Sequence, residues 1–196
     1  MLIRGTRIVV IVFGMALLLA PSVFAETYEI DNNHSSSSFR VKHNGVSFVH
    51  GMIPEVSGRF NFDSEDPEAN SIEMSARVSS LSTFNEDRDK HLAGPDFFNA
   101  KQFPVITFES TSWKKTAENM YEITGQFAML GVEKAITVKA EHVGSSTNRD
   151  GQSMTGFEVT VKIDRTDFGM NYGVSEDGSG LGAEVDLTIS IEANAE

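Results

Sequence analysis

The chain of 196 residues contains no cysteine. That excludes disulfides, a thiolate nucleophile, a thiolate metal site and a lipid anchor built on an N-terminal cysteine. Basic residues are scarce, with 16 Lys and Arg against 28 Asp and Glu and a formal net charge of −12. Nucleic acids and anionic membrane surfaces are recognised through basic patches, so neither is an expected partner. Long apolar runs are missing as well. The run from Ile8 to Ala20 falls short of the roughly 20 residues that a membrane-spanning helix needs, so no permanent membrane anchor is expected. No Ser, Thr or Cys sits in a nucleophile elbow or another activating turn, which argues against an enzyme. Internal repeats and low-complexity linkers are also absent, which favours one domain.

The apolar run near the start reads instead as a secretory signal. Arg4 and Arg7 precede it, and Val23-Phe24-Ala25 supplies a small-x-small cleavage site. Cleavage is expected between Ala25 and Glu26, with the product in the periplasm or secreted. The mature chain would span 26–196, and losing Arg4 and Arg7 takes its formal charge from −12 to −14. Without disulfides its stability rests on one hydrophobic core, for which the length is sufficient.

What the chain does have is period-two alternation. Phe157, Val159, Val161 and Ile163 alternate with Glu158, Thr160, Lys162 and Asp164, and Val185, Leu187, Ile189 and Ile191 alternate with polar residues in the same way. Ile72–Val78, Tyr121–Met129 and Ile136–Ala140 repeat the pattern, and Ser37–His43, Gly58–Asp63 and Val105–Trp113 are shorter candidates. Each reads as a strand with one buried and one wet face. Turn residues separate them at Asn44-Gly45, Glu65-Asp66-Pro67, Asn148–Gly151 and Asp177–Gly180. One short helix is expected after Thr83. The stretch Thr83-Phe84-Asn85-Glu86 has capping-box spacing, Asp87 adds negative charge at the start, Lys90 and His91 add positive charge near the end, and Gly94-Pro95 stops it. Leu92 and Phe84 are the residues expected to pack it down, with a second short turn over Pro95–Ala100.

About eight amphipathic, mostly antiparallel strands with one helical insertion around 84–100 predict an all-β fold, and a closed barrel disposes of its edge strands. An eight-stranded barrel is wide enough either to be filled by side chains or to hold one slender ligand. Strands of about nine residues would give it a length of roughly 30 Å. The many Phe and Met residues fit either outcome. They can fill a solid core, or they can form soft walls for an apolar chain. Four histidines, His34, His43, His50 and His91, have no standard ligand spacing, so no metal is expected. Arg88 and His91 share one helix face, whereas Arg88 and Asp89 do not. Arg88, Asp89 and His91 read chiefly as fasteners for the helix, with a headgroup role at the barrel mouth as the alternative. Arg165 and Asp167, at a strand end before Phe168-Gly169-Met170, read the same way; Arg165 could cap loop carbonyls or bridge to Asp89.

Several motifs in order resemble one known family. They are Asp31-x-x-His34-Ser35, Lys42-His43-x-Gly45-Val46, Ser79-Ser80-Leu81-Ser82-Thr83, Arg88-Asp89-x-His91-Leu92, Phe97-Phe98-Asn99-Ala100, Pro104-x-Ile106-Thr107-Phe108-x-Ser110 and Arg165-Thr166-Asp167-Phe168-Gly169-Met170. Together they resemble the YceI-like family of exported polyisoprenoid-binding proteins. The resemblance implies a lipocalin-like, eight-stranded antiparallel barrel whose lumen holds a long isoprenoid, a quinone-precursor or polyprenyl chain, or a fatty amphiphile, for storage, transport or stress protection. No catalytic cofactor is implied; the bound polyisoprenoid or quinone-like lipid is the ligand. The lumen and mouth residues expected to touch it are Phe39, Val41, Phe48, Phe60, Met74, Phe97, Phe98, Ile106, Phe108, Ile123, Phe127, Phe157, Met170 and Tyr172. The family's usual Leu-Thr-x-x-Gly-Val-Thr-Lys-Pro pattern appears here as Phe127–Ala135 without its proline, which puts that hairpin's geometry in question. Two rival functions stand beside binding: a module docking an electron-transfer or cell-surface partner through the acidic exterior, and a lipid-modifying enzyme. A homodimer is a prior expectation only.

Overall fold

The computed structural model describes residues 26–175 and 177–196. The expected signal segment and cleavage site lie outside the described residues. Ten strands form in chain order: β1 (Glu26–Ile30), β2 (Ser36–His43), β3 (Ser47–Ile53), β4 (Val56–Phe62), β5 (Ser71–Arg77), β6 (Val105–Ala117), β7 (Met120–Met129), β8 (Val132–Thr147), β9 (Ser153–Asp164) and β10 (Leu181–Ala195). The helix α1 covers Glu86–Leu92. Every pairing between these strands is antiparallel.

Eight strands close the ring in the order β1-β4-β5-β6-β7-β8-β9-β10, with β10 returning to β1. The remaining hairpin, β2–β3, continues from the same long last strand. The C-terminal part of β10 pairs with β1, placing Tyr28 opposite Ala195, while its N-terminal part pairs with β2, from Leu181–His43 to Ser190–Ser36. The eight-stranded antiparallel barrel read from the alternation is therefore present, with two further strands widening one end. At that end, among the described residues, β3 has only an isolated bridge, Met52 to Ser82, on its far side. The segment 78–104, containing α1, covers this gap and the barrel mouth.

Close approach of backbone and ring requires glycine at two wall positions. A Cβ on Gly51 would meet the Phe39 ring at 2.3 Å, and one on Gly125 would meet the Phe108 ring at 2.6 Å. The β7–β8 hairpin turns on Leu130 and Gly131, with φ of 56° and 76°. Two positive φ values are the signature of the tight turn that matches strand twist, so the hairpin without that proline has a two-residue turn.

The helix corrects two expectations. Its cap is Asn85, whose side chain accepts from the Arg88 N–H, and not Thr83. Phe84 does not pack it down: the ring is 85% exposed and its backbone is left-handed, with φ of 61°. Leu92 does pack against the core. Beyond Ala93 the insertion continues as hydrogen-bonded turns, with Phe98 N–H donating to Leu92 and Phe103 N–H to Asn99.

Candidate functional site

The barrel interior has two zones. At the end where β1 closes the ring, Tyr28, Phe60, Phe62, Trp113, Tyr121 and Phe157 pack into one aromatic plug. Tyr28 stacks on Phe60 at 5.3 Å, and Phe157 meets Phe62 edge-on at 5.0 Å. His142 joins the plug, its ring 4.9 Å from Phe62, and its Nε2 shares hydrogen bonds with the hydroxyls of Ser145 and Thr155. Burial pushes this imidazole below its ordinary pKa, with nearby Lys115 adding to the effect against a backbone hydrogen bond donated to Gly144.

Above the plug the side chains leave a cavity of about 530 Å³. That size is typical of sites for small molecules. Its walls are apolar side chains from β2, β3 and β5–β10, and its roof is α1 with the turn carrying Phe97 and Phe98. Of the expected lumen residues, Phe39, Val41, Met74, Phe97, Phe98, Ile106, Phe108, Ile123, Phe127, Met170 and Tyr172 line it.

Three expected lumen residues do not. Phe60 and Phe157 face inward but lie in the plug. Alternation reports which face of a strand a residue takes and says nothing about its height along the barrel axis. Phe48 faces outward, 48% exposed, with the Arg40 guanidinium 4.7 Å from its ring centre. It pairs with Lys42, while its neighbour Val49 pairs with Val41 on the cavity side. Wall residues that were read as strand faces but not as site residues include Ile136, Val161, Val185, Leu187 and Ile189. Extending the inward parity along β8, β9 and β10 would have found them.

The mouth carries the polar groups. The His91 ring sits edge-on to Phe97 at 5.0 Å and to Tyr172 at 5.1 Å, and its Nε2 lies 3.0 Å from Asp96 Oδ2. Arg88 donates from Nε to the Thr83 hydroxyl and from Nη2 to the Thr83 carbonyl, both at 2.7 Å. The same hydroxyl donates to Asp89, which also accepts from the Thr83 N–H. Thr83 is thus the hub that fastens α1, and Asp89 faces this hub and not the cavity. Arg165 is 3% exposed and donates to the carbonyls of Gly182, Met170 and Tyr172 at 2.8, 2.8 and 2.9 Å. It caps loop carbonyls, and the expected alternative of a bridge to Asp89 does not form. Burial lowers the guanidinium's pKa, against the opposing pull of the Asp164 charge. Asp167 pairs with Lys134 at 2.7 Å, away from the cavity lining. Arg88, His91 and Arg165 all line the cavity.

Among the described residues one cluster has the composition of a metal site: Asp31, His34 and Glu192, with His34 Nδ1 2.7 Å from Asp31 Oδ2. It joins the β1–β2 connection to β10, on the exposed surface and apart from the cavity lining.

Comparison with known proteins agrees with this architecture. Residues 28–193 match the family model of the YceI-like domain. Protein YceI of Escherichia coli is 35% identical over 182 residues, covering 92% of this chain and 93% of that protein. The crystal structure of the Campylobacter jejuni YCEI protein superposes with a TM-score of 0.70 at 31% identity, covering 77% of this chain and 87% of that one. A polyisoprenoid binding domain from Saccharophagus degradans shares the fold, with a TM-score of 0.61 at 12% identity over 86% of this chain and 98% of that one.

Proposed function

The chain belongs to the YceI-like family, and on that footing we propose that it is an exported binding protein that holds a long isoprenoid-type lipid or related amphiphile in its barrel. The observation that carries this reading is the cavity of about 530 Å³, apolar on its walls, stopped at one end by the plug and roofed at the other by α1. Binding of a polyisoprenoid by the structurally similar domain from Saccharophagus degradans supports the ligand class. The signal pattern around Arg4–Ala25 supports export to the periplasm.

Burying about a dozen methylenes is worth roughly 10 kcal/mol before the costs of association and chain ordering are subtracted. Retention without a covalent bond is therefore within reach. Binding is favoured over turnover by the hydroxyls of the lining. Ser37, Ser75 and Thr107 line the cavity, and among the described residues none bonds to a histidine or a carboxylate. Such a partner is what an activated nucleophile requires.

The test is organic extraction and mass spectrometry of the protein purified from its own host, beside the variants Phe98→Glu and Phe108→Glu. A long-chain lipid in the parent protein, absent from folded variants by native mass spectrometry, is the expected result. Undiminished lipid in both variants would remove these residues from the wall. A parent protein with no extractable lipid and no affinity for added isoprenoids would end the reading.

A further inference from the structure

The cavity lining is not electrically neutral. The chain carries 28 acidic and 16 basic residues, yet the lining includes Arg88, Arg165, His43 and His91 and no Asp or Glu. Both arginines are held by neutral oxygens only: Arg165 by three carbonyls, Arg88 by a carbonyl and a hydroxyl. Among the described residues no carboxylate lies within 4.0 Å of either guanidinium. Three acids adjacent to these elements are otherwise engaged. Asp164 accepts from the Thr166 N–H and hydroxyl, Asp89 from Thr83, and Asp96 faces His91.

A guanidinium has five N–H donors. Arg165 spends three and Arg88 two on the contacts above, leaving donors over at both. The two groups belong to one corner under the roof. Arg88 and His91 lie one turn apart on α1, the His91 ring touches Tyr172, and Arg165 holds the Tyr172 carbonyl. Arg165 is buried, and a buried cation without an ion-pair partner is expensive, with carbonyl dipoles offsetting only part of that cost, whereas Arg88 is exposed at the mouth.

We propose that this corner is the head-binding end of the cavity and that it selects an acidic head: a single-chain lipid ending in a carboxylate or phosphate. The inference rests on the cavity being a lipid site. An oxyanion here supplies the missing countercharge and takes the spare N–H donors, while its tail runs down the apolar wall toward the plug. Charged hydrogen bonds to guanidinium are about twice as strong as neutral ones. A single such bond is worth about tenfold in affinity.

The experiment uses delipidated protein and two pairs of ligands matched in tail: geranylgeranyl monophosphate with geranylgeraniol, and palmitate with hexadecanol. Dissociation constants are measured at neutral pH by displacement of a fluorescent lipid. In at least one pair the acid binds tighter than its alcohol by about tenfold or more, and Arg88→Gln narrows that gap. The pair showing the larger gap identifies phosphate or carboxylate as the preferred head. Acid and alcohol binding equally in both pairs overturns the acidic head and leaves the lipid cavity standing. Failure of all four ligands to bind overturns the lipid site and this inference with it. The comparison within the parent protein needs no variant, so it stands even if Arg88→Gln prevents folding.

Discussion

Replacing Phe157 by alanine tests whether the barrel interior is divided into plug and cavity. Phe157 is 3% exposed and its ring meets four aromatic neighbours: Phe60 at 5.7 Å, Phe62 at 5.0 Å, Trp113 at 5.9 Å and Tyr121 at 6.4 Å, with His142 at 5.1 Å beside them. Buried Phe→Ala substitutions cost about 3–5 kcal/mol, and edge-on ring pairs add about 0.5–1.5 kcal/mol each. The close-packed surroundings place Phe157→Ala near the top of that range, about 4–5 kcal/mol. Phe98 is the control. It borders the cavity, so truncating it enlarges an opening that already exists and exposes less new surface. About 1–2 kcal/mol is expected there. For a domain of this size each 1 kcal/mol moves the melting temperature by about 2–4 °C, so the two variants should separate clearly. The measurement is urea unfolding of delipidated protein, which removes stabilisation by bound ligand. Phe157→Ala should still take up added lipid at a temperature where it is folded, whereas Phe98→Ala should bind more weakly. Equal destabilisation by the two substitutions would refute the two-zone interior.

Three further outcomes follow from individual residues. Gly125→Ala places a Cβ 2.4 Å from the Glu109 carbonyl and 2.6 Å from the Phe108 ring, and should cost about 1–3 kcal/mol in urea unfolding; a neutral result would mean that β6 and β7 are not so closely apposed. Phe84→Asn should stabilise by about 0.5–1 kcal/mol in the same assay, because Asn tolerates the left-handed backbone and the exposed ring contributes little packing; a loss of stability would show that the ring packs after all. His142 and His34 should titrate on opposite sides of 6.5 by NMR, His142 below it through burial and His34 above it through its hydrogen bond to Asp31. His142 therefore withholds nothing above pH 6.5 and weakens the fold as pH falls from there toward its native value, while His34 stabilises fully below 6.5 and loses that contribution as pH rises through its own native value; the reverse order of midpoints would refute both assignments.

Much of the barrel was legible because alternation is a local signal. The inward faces of β7, β9 and β10 can be read directly from Tyr121–Met129, Phe157–Ile163 and Val185–Ile191. The site was only partly legible, because depth along the axis depends on strand register, a long-range property. Phe60 and Phe157 have the same parity as cavity residues and differ only in height. Phe48 was misplaced for the opposite reason. In the short β3, bounded by a turn and Pro54, an aromatic residue suggested the interior while the register with β2 put it outside. Thr83 had the right spacing for a cap but serves as a buried hub for Arg88 and Asp89, leaving Asn85 to cap. The fifth histidine, His142, stood outside any motif, and only the packing of the plug gives it a partner set. The carbonyl triad around Arg165 could be anticipated in kind but not in its members.

The last strand has a consequence for how the molecule comes to exist. β10 supplies Val185, Leu187 and Ile189 to the cavity wall, then Ile191 and Ala193 to the buried core, and finally closes the ring by setting Ala195 opposite Tyr28. That contact joins nearly the two ends of the described chain, so its loop-closure entropy is among the largest in the fold. Until it forms, the ring is open along the β1 edge, and the plug end of the barrel is unsealed. A nascent chain still lacking this strand has neither a complete cavity wall nor a closed plug end.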